Sequence, residues 1–321
     1  MSNQMTGNRV NRNWIVASWF SRYGLVCALF VVAVTLTIAT PNFLTVGNLI
    51  NVVRQISLNG ILAVGVTYVL LTGGVDLSLG SVVALTGVVA ACFAHPGQFP
   101  LVVPLFLGIA AGTACGLANG VAITRGKVAP FVVTLGMMTV ARGLALVFSG
   151  GKPVSDLSEP FKIIGGDMLG CPTPILILAT VAAISWVFLA NTRLGRHIYA
   201  VGGNELAALA SGINVNGVKL LAYTVCGALA GLAGVVLASR ITTGQPNAGV
   251  AYELDAIAAV VIGGTSLSGG SGGVGGTLLG ALLIGVINNG LDLLNVSSYY
   301  QQIVKGLIIV GAVWLDKRHQ K

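Results

Sequence analysis

Asn191–Thr–Arg–Leu–Gly–Arg–His–Ile–Tyr–Ala–Val–Gly–Gly–Asn–Glu–Leu–Ala–Ala–Leu–Ala–Ser–Gly212 is a polar stretch set between two long apolar runs. Gly202–Gly203 divides it, and Asn204 is suited to cap a helix by accepting a hydrogen bond from a free backbone N–H. Gly212 is suited to end that helix at a left-handed position. The interval Glu205 to Ser211 makes about two helical turns, roughly 10 Å. A helix that short is unstable alone, so it must rest on the rest of the chain.

The surrounding composition decides what kind of chain this is. Of 321 residues, 55% are hydrophobic, only 8% are charged and 45 are glycine. A soluble domain carries roughly 25% charged residues, so a surface made from this chain could not face water. The mean hydropathy of +0.90 agrees. The reading is an all-α polytopic membrane protein. The net charge of +8 comes from singly scattered basic residues, with no basic helix and no aromatic-interleaved patch, so nucleic acid is not an expected partner. Cys27, Cys92, Cys115, Cys171 and Cys226 form no CxxC pair and predict neither a disulfide framework nor a metal site.

A hydrocarbon core about 30 Å thick needs roughly 20 apolar residues per helix. Runs near 24–40, 57–72, 79–94, 100–123, 129–149, 173–190, 217–238, 255–268, 274–294 and 300–315 predict about ten transmembrane helices, several of them broken or re-entrant, with 255–268 the shortest. An even count places both termini on one side. With that side inside, eleven Lys and Arg residues, Arg125, Lys127, Arg193, Arg196 and Lys219 among them, fall in cytoplasmic segments. Only Arg54, Lys152, Lys162 and Arg240 fall outside, a positive-inside bias. The expected organisation is a cytoplasmic tail over 1–23, one transmembrane domain over 24–315 with a cytoplasmic segment at 191–216, and a cytoplasmic tail over 316–321. The loop from Gly150 to Pro172, of mixed charge, lies outside.

Glycine is patterned. Gly108, Gly112, Gly116 and Gly120 recur every four residues, and Gly227–Gly231 and Gly276–Gly280 repeat the spacing, which lets helices approach closely. Gly73–Gly–Val–Asp–Leu–Ser–Leu–Gly–Ser81 matches Gly263–Gly–Thr–Ser–Leu–Ser–Gly–Gly–Ser271 at six of nine positions. Glycine-interrupted apolar segments in corresponding places of two halves suit broken helices beside a substrate path. Asp76, Ser78, Ser266 and Ser268 are candidate path residues or half-helix caps there. The alternative of ordinary polar turns at the membrane surface stays open. Asn288 and Asn289, a polar pair inside an apolar run, either face the path or join helices.

The enzyme motifs fail on context. Gly270–Ser–Gly–Gly–Val–Gly275 fits GxGxxG and Gly269–Gly–Ser–Gly–Gly273 fits GxSxG. Eight glycines in fourteen residues match nearly any such pattern, and the flanks are membrane runs. A phosphate loop is missing: Gly120 to Lys127 has one residue too many between its glycines and Val128 in place of a hydroxyl. No catalytic, metal or cofactor site is expected, and any ATP hydrolysis belongs to another subunit. An ion-coupled secondary transporter is the alternative, although no run carries two acids at helical spacing. A quinone-binding or structural subunit of a membrane enzyme is a more distant one.

Five blocks together resemble a known family: Gly73–Gly80, Thr192–Glu205, Leu209–Asn216, Tyr252–Val261 and Val296–Lys305. They are similar to the permease subunits of bacterial monosaccharide ABC importers, the ribose permeases above all, from about residue 40 to the C-terminus. The resemblance implies a core of two permeases, with a second copy of this chain as the expected mate. It also implies a cytoplasmic sugar ABC ATPase, a periplasmic sugar-binding protein, and a place in the lipid of the bacterial inner membrane. It maps the family's coupling motif, Glu–Ala–Ala followed by Gly, onto Glu205, Ala207, Ala208 and Gly212, with Asn204 as cap. Here Leu206 interrupts the alanine pair and one extra residue precedes the glycine.

Overall fold

The computed structural model describes residues 12–168 and 170–319. Residues 1–11 and 320–321 of the two expected tails, with Arg9 and Lys321, lie outside the described residues. In chain order the helices are α1 (Arg12–Ala39), α2 (Val46–Leu71), α3 (Leu79–Cys92), α4 (Val102–Thr124), α5 (Pro130–Ser149), α6 (Glu159–Lys162) and α7 (Thr173–Asn191). Then come α8 (Arg193–Gly203), α9 (Glu205–Ala210), α10 (Val215–Arg240), α11 (Tyr252–Ile262), α12 (Val274–Leu293) and α13 (Ser298–His319). Two-residue strands β1 (Asp167–Met168) and β2 (Cys171–Pro172) form an antiparallel hairpin between α6 and α7. Each apolar run seen in the sequence falls on a helix. Among the described residues α2, α4, α5, α7, α10 and α12 are long and apolar enough to cross a membrane. The protein is an all-α polytopic membrane protein.

The helix ends follow local chemistry. Thr45 accepts from the Asn48 N–H at the start of α2, and Asn214 accepts from the Gly217 N–H at 2.9 Å at the start of α10. Pro130 opens α5, where a missing N–H costs nothing, and Gly150 closes it in the left-handed region. At the start of the chain α1 begins twelve residues before the apolar run at 24, within the stretch expected as a tail, and two further boundaries differ from the hydropathy reading for a visible reason. The first, α2, begins eleven residues before the apolar run at 57, because Asn48 and Arg54 find polar partners within the protein. The second, α11, stops at Ile262 rather than continuing to 268, since Gly264 takes a φ of +87° that no helix accepts.

Packing centres on α10, which lies against α4, α3 and α2. The glycine stripes meet there. A Cβ added to Gly112 would strike the Gly227 carbonyl, and one on Gly231 would lie 2.9 Å from the Gly108 carbonyl. The third repeat seats α12 on α11, with Gly280 against the Ala259 carbonyl. Without an apolar-to-water gradient between helices, such close backbone contact supplies the dispersion energy that holds a membrane bundle together. Both α2 and α12 are mostly buried, whereas α5 and α7 leave Phe131, Val147, Phe148, Ile184 and Trp186 exposed on outward faces suited to lipid.

Two short helices break the pattern of full crossings. With fourteen residues, α3 is about 21 Å long, and eleven-residue α11 about 16 Å, so neither alone spans a 30 Å core. An irregular segment over 72–78 leads into α3, and Val75 lies level with Tyr223, whose hydroxyl donates to its carbonyl at 3.2 Å. That level is about 12 Å into α10. A second irregular segment, 244–251, runs back along α3 from Ala91 to Gly80 before α11 begins. The N-termini of α3 and α11 therefore meet inside the protein, and the two helices run in opposite directions. A Cβ on Gly80 would strike the Gly249 carbonyl and the Glu253 carboxylate. Placing an acid at the positive end of α3 is electrostatically favourable.

Candidate functional site

The polar stretch at 191–212 folds into two short helices laid on the end of the bundle. Thr192 caps α8 by accepting from the Gly195 N–H at 3.0 Å, and Asn204 caps α9 by accepting from the Ala207 N–H at 2.9 Å. Gly212, at φ +79°, ends α9, and the Ile213 N–H returns to the Ala208 carbonyl at 3.0 Å. Glu205 pairs with Lys219 of α10 at 2.7 Å. Ala208 points inward and joins a buried cluster with Ile198, Val201, Val215 and Val218. The outward face of α9 belongs instead to Leu206, 79% exposed, and Leu209, 61% exposed, with Ala207 beside them. A cleft of about 370 Å³ lies among Glu205, Leu206, Leu209 and Asn214 to Asn216.

The two copies of the glycine-rich echo meet directly under this segment. The Gly270 N–H donates to the Leu71 carbonyl at 3.0 Å, and a Cβ on Gly269 would lie 2.8 Å from the Gly73 nitrogen. Gly202, at the end of α8, is wedged between the Leu71 carbonyl and the Gly270 nitrogen, where any side chain would collide. Tyr199 of α8 donates to the Gly272 carbonyl at 3.0 Å, and burial pushes its phenol pKa up, so it stays a donor. Displacement of α8 thus bears at once on the end of α2 and on the α11–α12 loop.

The polar residues of the echo divide. Asp76 and Ser78 are buried, and the Asp76 carboxylate accepts from the Ser78 N–H at 2.9 Å and the Ser78 hydroxyl at 2.6 Å. Asn119 of α4 in turn donates to the Ser78 hydroxyl at 3.1 Å. This network fixes the turn that starts α3. Ser266 accepts from the Ser268 N–H at 3.1 Å and closes a turn in the α11–α12 loop; α12 starts later, behind Gly273. Neither of these serines caps a half-helix, because the half-helix matching α3 is α11, whose first residue is Tyr252.

The asparagine pair divides too. Asn289 and Asn48 exchange two amide hydrogen bonds, at 2.8 and 3.0 Å, and tie α12 to α2. Asn288 turns instead into a polar cavity of about 430 Å³ at the end of the bundle remote from α8 and α9. Its walls come from α2 (Gln55, Asn59), the end of α10 (Arg240), α11 (Tyr252, Asp255), α12 (Asn288, Asp292) and α13 (Gln301, Lys305). Asp255 and Lys305 form an ion pair of 2.8 Å in its wall. Arg142, in contrast, holds the re-entrant segment by donating to the Pro246 and Ala248 carbonyls at 2.6 and 2.8 Å.

A family described as branched-chain amino acid transport system / permease component matches residues 48–313. The chain belongs to this permease family. It is 46% identical over 314 residues to the ribose import permease protein of Escherichia coli K12, covering 96% of this chain and 98% of that protein. It is 48% identical over 300 residues to the ribose import permease protein of Bacillus subtilis 168, covering 92% and 93%. It is 37% identical over 303 residues to the D-allose transport system permease protein of E. coli K12, covering 94% and 93%. No solved structure matches the chain. The permease is a multi-pass protein of the bacterial inner membrane and a transport subunit.

Several residues of this permease escaped the sequence reading. Leu206 and Leu209 were hidden because apolar residues are unremarkable in a chain this rich in them. Asn119 sits alone in an apolar run, with no local signal that Ser78 waits across the bundle. Gln55, Asn59 and Gln301 lie on three helices and converge only in space. The loop from Gly150 to Pro172 is tied to the bundle: Phe161 and Leu157 are buried, and Ser239 of α10 donates to the Phe161 carbonyl at 2.6 Å.

Proposed function

We propose that this chain is the membrane subunit of an ATP-driven importer and provides the path by which ribose or a closely related monosaccharide crosses the inner membrane. The observation that carries this is the near-full-length match to ribose import permeases at almost half identity. In this reading α1, α2, α3, α4, α5, α7, α10, α11, α12 and α13 supply ten crossings, with α3 and α11 as half-helices meeting in the core. One transmembrane domain spans 24–315, and both tails, 1–23 and 316–321, are cytoplasmic. Two contacts support the grouping of segments by side. Arg54 pairs with Asp167, and Glu205 with Lys219, each joining residues that the charge bias assigns to one side.

ATP is hydrolysed by a cytoplasmic partner that docks on α9, the helix carrying Asn204, Glu205, Ala207, Ala208 and Gly212. Leu206 and Leu209 make the contact, while the cap, the buried Ala208 and the left-handed Gly212 hold the helix in place. One coupling segment per chain and two ATP sites per motor call for a second permease copy, so a homodimer in lipid forms the core. A periplasmic binding protein delivers the sugar to the opposite face. ATP binding moves α8 and α9, Gly202 passes that motion to Leu71 and Gly270, and the half-helix pair shifts between outward and inward access. Purified with its ATPase and binding protein in proteoliposomes, the complex is expected to hydrolyse ATP faster when ribose is supplied. Sugar accumulation driven by an ion gradient without ATP would overturn the proposal in favour of a secondary transporter.

A further inference from the structure

We infer that the cavity walled by Asn59, Tyr252 and Asn288 is a binding subsite for a neutral polyhydroxylated ligand, and that Asn288 is one of its specificity-determining residues. The inference rests on the reading of the chain as a sugar permease and assigns the sugar a place within one protomer.

Three observations carry it. The cavity, about 430 Å³, falls within the size range of small-molecule sites. It also holds an unsatisfied acceptor. Asn288 is only 3% exposed, its amide N–H reaches Asp255 at a long 3.4 Å, and its Oδ1 has no partner. Buried polar atoms are nearly always paired, so a lone acceptor lining a cavity marks a place where a ligand hydroxyl completes the bonding. Finally, the wall is polar: the amides of Gln55, Asn59, Asn288 and Gln301 line it beside the Lys305–Asp255 ion pair of 2.8 Å.

That lining selects the ligand class. A branched-chain amino acid, the cargo suggested by the wider family's description, would need an apolar pocket for its side chain. Only Leu58, Leu237 and Ile241 are apolar in this wall. A sugar needs groups that both donate and accept, which the amides of Asn59, Gln55 and Asn288 provide, and a ring face for its C–H surface, which Tyr252 provides. The cavity lies at the end of the bundle opposite α9, where sugar would arrive from outside.

The test uses the complete complex of this chain, its ATPase and its binding protein in proteoliposomes. Uptake of ribose, D-allose and L-leucine is measured for wild type and for Asn288→Leu, Asn288→Gln and Gln55→Leu. Asn288→Leu is expected to lower ribose uptake at least ten-fold and raise KM, while the ATPase still co-purifies. Asn288→Gln, which keeps the acceptor, restores part of the uptake and alters the ribose to allose ratio. Gln55→Leu gives the same reading should Asn288→Leu fail to assemble. Wild-type ribose uptake with unaltered KM and selectivity in all assembled variants overturns this inference alone. A wild-type complex that imports leucine and no sugar overturns the reading as a sugar permease together with it.

Discussion

Asn288 and Asn289 stand side by side in α12 and do different work, because one step along a helix turns a side chain by about 100°. Asn289, buried on α12, meets Asn48, half-buried near the start of α2, in a two-bond amide exchange. Removing either partner leaves two polar atoms unpaired in an apolar setting, so single changes are expected to cost more than the double change. In a cycle of Asn48→Leu, Asn289→Leu and both together, thermal unfolding in detergent should show a coupling of about 0.6 to 1.7 kcal/mol, the range of interhelical hydrogen bonds in membranes. Additive losses would mean that the two amides do not stabilise the protein through each other. Gly202 shows the same dependence on position: its value lies in having no side chain where α8 meets two other backbones.

At the scale of an element, α9 is six residues long and survives through its ends and its underside. Asn204 satisfies one free N–H, Gly212 turns the chain back, and Ala208 is small enough to be buried against α8 and α10. This leaves two leucines in the open, an arrangement that is unfavourable in water unless a partner covers it. Leu206→Asp and Leu209→Asp are expected to leave the permease folded and in the membrane while abolishing co-purification of the ATPase. Ala208→Arg, by contrast, should destabilise the permease itself, because it forces a charge into the cluster below. Retention of the ATPase by the Leu206→Asp/Leu209→Asp double variant, measured by pull-down from solubilised membranes, would move the docking site elsewhere.

For the whole molecule, the proposed transport mechanism rests on the arrangement of α3 and α11. Two short helices start beside each other in the core and run in opposite directions, and in that proposal a modest shift at either end opens one side or the other. The proposed orientation predicts a labelling pattern. In a variant without native cysteines, Ser211→Cys should react with a membrane-impermeant maleimide only in inside-out vesicles, and Met168→Cys only in right-side-out vesicles. The reverse pattern would invert the topology. Apolar runs, helix breaks and the polar handle at 191–212 were legible in the amino-acid order, because hydropathy, capping and glycine spacing are local properties averaged over a turn or a span. The glycine stripes on α4 and α10 could be read as contact surfaces, though not matched to each other. Where Gln55, Asn59, Tyr252, Asn288 and Lys305 converge, and that the counterpart of α3 is α11 rather than the echo at 263–271, arose only on folding. Those groups lie on separate elements, and long-range packing, with Arg142 and Tyr223 pinning the irregular segments, sets which of them face one another.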